Sequence, residues 1–182
     1  MTRNPIYTNY VIQALRTEAP PENIRIGNPR ITHAILGVVT EVGEILLADS
    51  AVNLREEVGD VAWYGAILVD ELQITIDDLL NIGASASAAD MVADPSDPKL
   101  LLREAIAISD LLKREMIYGI PLDIEKLLKA VGQIFYGLNG EIPLTDAMGA
   151  NLRKLQRRYQ EKFTTEEAQH RDLDAELEEL KT

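Results

Sequence analysis

A chain of 182 residues, 46% hydrophobic and 26% charged, is long enough to bury a sizeable core, and one helical domain with a short tail is expected. Its net charge of −12 argues against a general nucleic-acid surface, which needs many phosphate-neutralising Lys and Arg side chains. No apolar run approaches the roughly 18 residues of a membrane span, "MTRNPIYTNY" lacks the basic and apolar regions of a secretory leader, and cysteine is absent. A cytoplasmic protein is therefore the expectation, with no thiolate metal site and, given two histidines, any metal held mainly by oxygen.

Apolar residues recur at three- and four-residue spacing with Pro or Gly between runs, which predicts an all-α fold. In chain order, helices are expected near 5–17, 30–49, 53–72, 75–89, 98–117, 121–138, 143–160 and 164–180. The intervening "EAPPENIRIGNPR" (18–30) and "ADPSDP" (93–98) read as loops, and "YGIPL" (118–122) as a tight connection. Asn53 and Glu56 have the spacing of a helix N-cap and its acceptor, as do Thr164 and Glu167. Residues 1–163 form the expected domain, and 164–182 an acidic, partly solvated C-terminal helix.

The stretch "EVGEILLADSAVNLREEVGD" (41–60) asks why like charges line up. Glu41 and Glu44 share one helix face, and so do Glu57 and Asp60. A short turn near 49–52 makes the two helices antiparallel. About a centre between residues 50 and 51, Glu44 mirrors Glu57 and Glu41 mirrors Asp60, so the four carboxylates can converge. Oxygen-only ligation suits Mg²⁺ or Mn²⁺; the plainer alternative is two solvated acidic faces.

On the first helix the same stripe runs through His33, Gly37 and Ala48, and on the second it reaches Tyr64 with Trp63 alongside. Carboxylates at one end and aromatics at the other fit a ligand with phosphates and a flat base, although Trp63 and Tyr64 equally suit a core. His33 lies about 12 Å along the helix from Glu41, in reach of a ligand's far end but not of the same ion. "NLRKLQRRYQEK" concentrates Arg153, Lys154, Arg157, Arg158 and Lys162 in an acidic chain, which suits a compact polyanion. A di-iron bundle is excluded, because Glu167 with His170 is the one Glu-x-x-His spacing and two are needed.

An internal echo is also present. "VGDVAWYG" (58–65) resembles "VGQIFYG" (131–137), and "TEVGEI" (40–45) aligns with "SDLLKR" (109–114), at an offset of roughly 70 residues. Two similar helical units are implied, the second with Lys113, Ala130 and Gln133 where the first has Glu44, Glu57 and Asp60. Two amphipathic helices alike by chance are the alternative.

The ordered set "HAILGVVTEVGE" (33–44), "EEVGDVAWYG" (56–65), "DLLKREMIYG" (110–119) and "NLRKLQRRYQEKF" (151–163) resembles the MazG-like all-α nucleoside triphosphate pyrophosphohydrolases, related to the dimeric dUTPases, in their phage-encoded or stand-alone bacterial form. That resemblance implies a helical bundle in which Glu41, Glu44, Glu57 and Asp60 hold Mg²⁺, Asn151 and Lys154 contact the triphosphate, and Arg158 and Tyr159 assist. It implies attack by an activated water on the α-phosphate, giving a nucleoside monophosphate and pyrophosphate. Lys154 and Arg158 would stabilise the leaving group. Thr40 stands where some members carry an acid thought to be the general base, which leaves Glu41, Glu56 or no separate base as options; Glu56 more naturally serves the cap. The family is generally dimeric or tetrameric, so a homo-oligomer is expected. A narrow specialist, dUTPase-like or for a purine deoxynucleotide in phage metabolism, is the rival within this chemistry, and a non-catalytic helical interaction protein the rival outside it.

Overall fold

Prolines and short polar side chains decide where the helices start. The computed structural model describes residues 26–140, 142–159, 166 and 172–181, and among these it contains seven delimited helices and no strand. Helix α1 (Pro29–Leu47) opens on Asn28, whose side chain accepts from the N–H groups of Arg30 and Ile31. Pro29 takes the first helical position, where a missing N–H removes no intrahelical bond. Helix α2 (Ala51–Leu72) ends at Gln73 in the left-handed region, φ 56°. A reciprocal capping box between Thr75 and Asp78 starts α3 (Ile76–Ala89). Helix α4 (Pro98–Tyr118) repeats the proline start behind Asp97 and stops at Gly119, φ 65°. Asp123 caps α5 (Ile124–Leu138), and α6 (Leu144–Arg158) and α7 (Leu173–Lys181) complete the fold.

Two expected starts move. The α2 cap is Ser50, which accepts from Asn53 N–H; Asn53 lies inside the helix and donates to Glu57 Oε1 at 2.5 Å. Helix α5 begins three residues later than expected, because Asp123 accepts from Lys126 N–H and leaves Pro121 outside. The expected helix at 5–17, the Thr164–Glu167 box and the Glu167–His170 pair lie outside the described residues.

The helices associate as two hairpins, α1 with α2 and α4 with α5, and α1 also packs on α4. The third helix of each half crosses over: α3 packs on α5, and α6 packs on α2. Matching glycines permit both crossings. A Cβ on Gly59 would lie 2.8 Å from Ala147 O on α6, and one on Gly132 would lie 2.7 Å from Leu79 O on α3. The echo in sequence thus corresponds to an echo in packing. Ile35, Val38, Val61, Leu68, Leu79, Ile108, Leu127 and Phe135 are almost wholly buried in the shared core.

Helix α7 is not free in solvent along its whole surface. Glu176 and Leu180 are buried as it packs on α6 and touches α2, while Leu173 and Leu177 stay exposed. Among the described residues, no helix is long and apolar enough to cross a membrane.

Candidate metal centre

The tight α1–α2 turn sets the two acidic faces against each other. One carboxylate oxygen from each of Glu41, Glu44 and Glu57 lies within 4.8 Å of the others. Glu57 is buried, Glu41 half-buried and Glu44 exposed, so the cluster runs from the interhelical seam to solvent. Asp60 is turned to α6 instead: Asn151 Nδ2 donates to its Oδ1, and Lys154 Nζ reaches both carboxylate oxygens at 2.8 and 2.6 Å.

Electrostatics in the cluster are strained. Burial pushes the Glu41 carboxyl up to about 8, with the charges of Asp60, Glu44 and Glu57 adding to the shift. Glu57 also moves up, through burial and then the charges of Glu56, Glu44 and Asp60, against a smaller opposing effect of the Asn53 hydrogen bond. Like charges held this close favour either a proton or a cation between them. The donors are hard oxygens of mixed accessibility, which fits Mg²⁺ or Mn²⁺ with open positions left for water or ligand.

Lys154 is the cationic counterpart. Its side chain is 1% exposed, a burial tolerated because Asp60 and Glu56 surround the ammonium, the latter at 3.2 Å. Gly59 brings α6 close enough for this contact, since the same missing Cβ faces Asn151 Cβ at 2.9 Å. Glu56 therefore pairs with Lys154 rather than completing an N-terminal cap. Neither that role nor the Asn53–Glu57 bond was assigned from sequence. The second could have been found from its i, i+4 spacing; the first joins residues 98 apart in the chain, and no local signal announces it.

Next to the acids is a ring cluster. His33, Trp63 and Tyr64 meet edge to face, with centroids 5.9 Å apart for His33–Trp63, 5.4 Å for His33–Tyr64 and 4.8 Å for Trp63–Tyr64. The small residue at Gly37 makes room for Tyr64, whose ring would overlap a Cβ there at 2.1 Å. Burial and the charge of Glu41 raise the Tyr64 hydroxyl's pKa, which ties this cluster to the acids. His33 is exposed and Trp63 is 37% exposed, so both present surface to solvent.

The basic motif groups Arg158 with Lys154, but the structure directs it elsewhere. Its guanidinium makes a two-pronged ion pair with Glu176 of α7, Nε at 2.9 Å and Nη2 at 2.6 Å, and lies 5.8 Å from the Tyr159 ring centre. One helical turn separates the two basic residues, yet Lys154 serves the acids of α2 while Arg158 anchors α7. The apolar cavity of about 530 Å³ at the α1–α2 turn, lined largely by Leu46, Leu54, Val58, Leu101, Leu138 and Ile142, contains none of the clustered acids. No known family model, curated protein or solved structure matches the chain.

Proposed function

We propose that the α1–α2 acids hold Mg²⁺, or Mn²⁺ in its place, and that the protein hydrolyses nucleoside or deoxynucleoside triphosphates at the α-phosphate, giving the monophosphate and pyrophosphate and so controlling a nucleotide pool. The observation that supports this most is the convergence of Glu41, Glu44 and Glu57, with a buried Lys154 held by Glu56 and Asp60 of the helix that carries Glu57. The resemblance of the ordered motifs to the MazG-like pyrophosphohydrolases supports the same reading. Once bound, the cation would supply charge neutralisation and Lewis-acid activation at the triphosphate.

The remaining roles belong to the chain. Glu41, Glu44 and Glu57 are ligands, with Asp60 oriented by Asn151 and Lys154 at the edge of the site. With Thr40 offering no acid beside the cluster, Glu41 is assigned to take the proton from the attacking water, through an oxygen that the cation would leave free. Lys154 adds positive charge for the departing pyrophosphate and Asn151 an amide donor. Glu176 holds Arg158, so Arg158 is assigned no contact with the triphosphate. His33, Trp63 and Tyr64 form the end that receives the base, and their edge-to-face packing favours the narrow-specialist form of the activity, with one or a few bases accepted. The same resemblance implies association of copies into a dimer or tetramer, measurable by light scattering.

The test is a product assay with Mg²⁺ and each common NTP and dNTP, dUTP included, resolved by ion exchange. Monophosphate and pyrophosphate are expected from one or a few substrates, with Glu44→Gln losing about 10²-fold or more in rate, the scale of removing one preorganised electrostatic contact. Absence of turnover across the panel, or release of diphosphate and inorganic phosphate, would reject the reaction and leave a binding or interaction role for the acidic faces.

A further inference from the structure

The α4–α5 hairpin has its own pocket at the positions that correspond to the acidic cluster. It encloses about 460 Å³, within the range of small-molecule sites, and Arg103, Arg114, Lys126, Lys129 and Gln133 are among its lining residues. Under the pairing of the two halves, Lys126 stands at Asn53, Lys129 at Glu56, Ala130 at Glu57 and Gln133 at Asp60. The α5 side of the groove has therefore exchanged carboxylates for ammonium and amide groups.

The acids that remain here already have cations. Asp90 is met by Lys129 at 3.2 Å, Glu104 by Arg103 at 2.6 Å and Asp110 by Lys113 at 2.5 Å. Lys126 is tied to Asp123 at 2.8 Å, an exposed pair of the kind that exchanges readily. Arg114 has no carboxylate within ion-pair distance among the described residues. Gln133 supplies a second, independent sign of a missing ligand. It is 1% exposed, its Nε2 donates to Asp90 Oδ2 at 3.3 Å, and its Oε1 has no donor. A buried acceptor in that state is costly unless a donor arrives.

We propose that this pocket binds a small phosphate monoester that also carries a hydroxyl or amine. The phosphate takes the guanidinium of Arg114 together with the ammonium groups of Lys126 and Lys129, and the donor on the organic part satisfies Gln133 Oε1. No divalent cation is required, since the cationic side chains of the pocket supply the charge that meets the phosphate, Lys129 being shared with Asp90. Nothing in this site depends on the reaction proposed for the α1–α2 groove.

Isothermal titration of the full chain in EDTA, with ribose 5-phosphate and with inorganic phosphate as probes, tests it. Ribose 5-phosphate is expected to bind without metal and about tenfold or more tighter than inorganic phosphate, the scale of one well-made hydrogen bond to a buried acceptor. The pair Arg114→Gln with Lys126→Gln, both exposed and so tolerant of change, is expected to weaken binding of the ester about tenfold or more. Gln133→Leu is expected to erase the preference over inorganic phosphate. Absence of binding, equal affinity for the two probes, or affinity unchanged in the Arg114, Lys126 pair would overturn the assignment. Binding that disappears in Glu44→Gln would put the ligand in the acidic groove and overturn it too.

Discussion

In α2, Glu57 meets the acids of α1, while Glu56 and Asp60 enclose Lys154 of α6; at the matching positions of α5 stand Lys129, Ala130 and Gln133. Both helices pair with the preceding long helix, and both are crossed by a helix from the other half at a glycine. The architecture is set by the apolar stripe and by where a Cβ is missing, and these features are common to the two halves. The chemistry is set by a few positions on the seam, and these differ. A helical hairpin can therefore keep its packing while the charge on its seam changes, because the apolar stripe and the glycine crossings are kept.

The largest expected effect comes from a brace described at the α2–α6 crossing and not at the α3–α5 crossing. Helix α7 braces α6 through Glu176 and Arg158, whose side chains are 4% and 15% exposed, with Arg55 Nη1 donating to Leu180 O behind them. Breaking a buried ion pair strands the remaining charge, which costs about 3–5 kcal/mol. Glu176→Gln should lower thermal stability on that scale and reduce turnover as well, since the same helix carries Asn151 and Lys154. Retention of the wild-type melting temperature would make α7 a passenger and remove this asymmetry between the crossings.

Next is the response to cation. If the three converging carboxylates bind Mg²⁺, saturation at a hundredfold excess over Kd should stabilise the fold by about 2.7 kcal/mol through linkage. The gain should vanish in Glu44→Gln and persist in Asp110→Asn, the change at the place matching Glu41. Equal stabilisation by NaCl at matched ionic strength would reduce the acids to a screened surface.

The crossings come third. An alanine at Gly59 or Gly132 gains about 1 kcal/mol in helix propensity but forces a methyl against the backbone of another helix, an overpacking cost of about 1–3 kcal/mol. The obstacle is a carbonyl oxygen rather than a flexible side chain, so the cost prevails, and each variant should lose about 1 kcal/mol in denaturant unfolding. Gly59→Ala should also slow turnover, because it displaces the helix that presents Asn151 and Lys154; Gly132→Ala should not. Equal effects on turnover would mean that α6 does not need its close approach.

These contrasts also show which features the sequence made legible. Pro29, Pro98 and Gly119 are local signals, and the helix ends they mark fall within a residue or two of expectation. The ExxE and ExxD faces could be set against each other by symmetry about the turn, and three of the four acids do converge. Asp60 joins Lys154 instead, since attraction to a buried ammonium outweighs a fourth place among like charges. The Ser50 cap was hidden by Asn53–Glu56, which imitates a cap one turn too late; nothing local ranks two capping residues three apart. Arg158 and Lys154 look interchangeable on α6 until tertiary packing brings Glu176 to one and Asp60 to the other. Local periodicity reveals which faces are charged, but the partner of each charge is settled by contacts far apart in the chain.

The last contrast is a matter of sign. Glu41 and Asp110 occupy matching places, yet the fold raises the proton affinity of Glu41, chiefly through burial, and lowers that of Asp110, chiefly through its bond to Lys113. A carboxyl whose folded pKa lies above its ordinary value of 4.5 binds more protons folded than unfolded, so metal-free protein should lose stability as pH rises from about 4.5 towards about 8. Asp110 works the other way: its contribution is present above the ordinary aspartate pKa and is lost as pH falls through the lowered value. At pH 8 in EDTA, Glu41→Gln should therefore raise the melting temperature and Asp110→Asn should slightly lower it. In saturating Mg²⁺ the first effect should reverse, because the charge that burdens the metal-free fold is then the charge that holds the cation. If both variants move the melting temperature in the same direction in EDTA, the two hairpins do not differ in the electrostatics assigned to them.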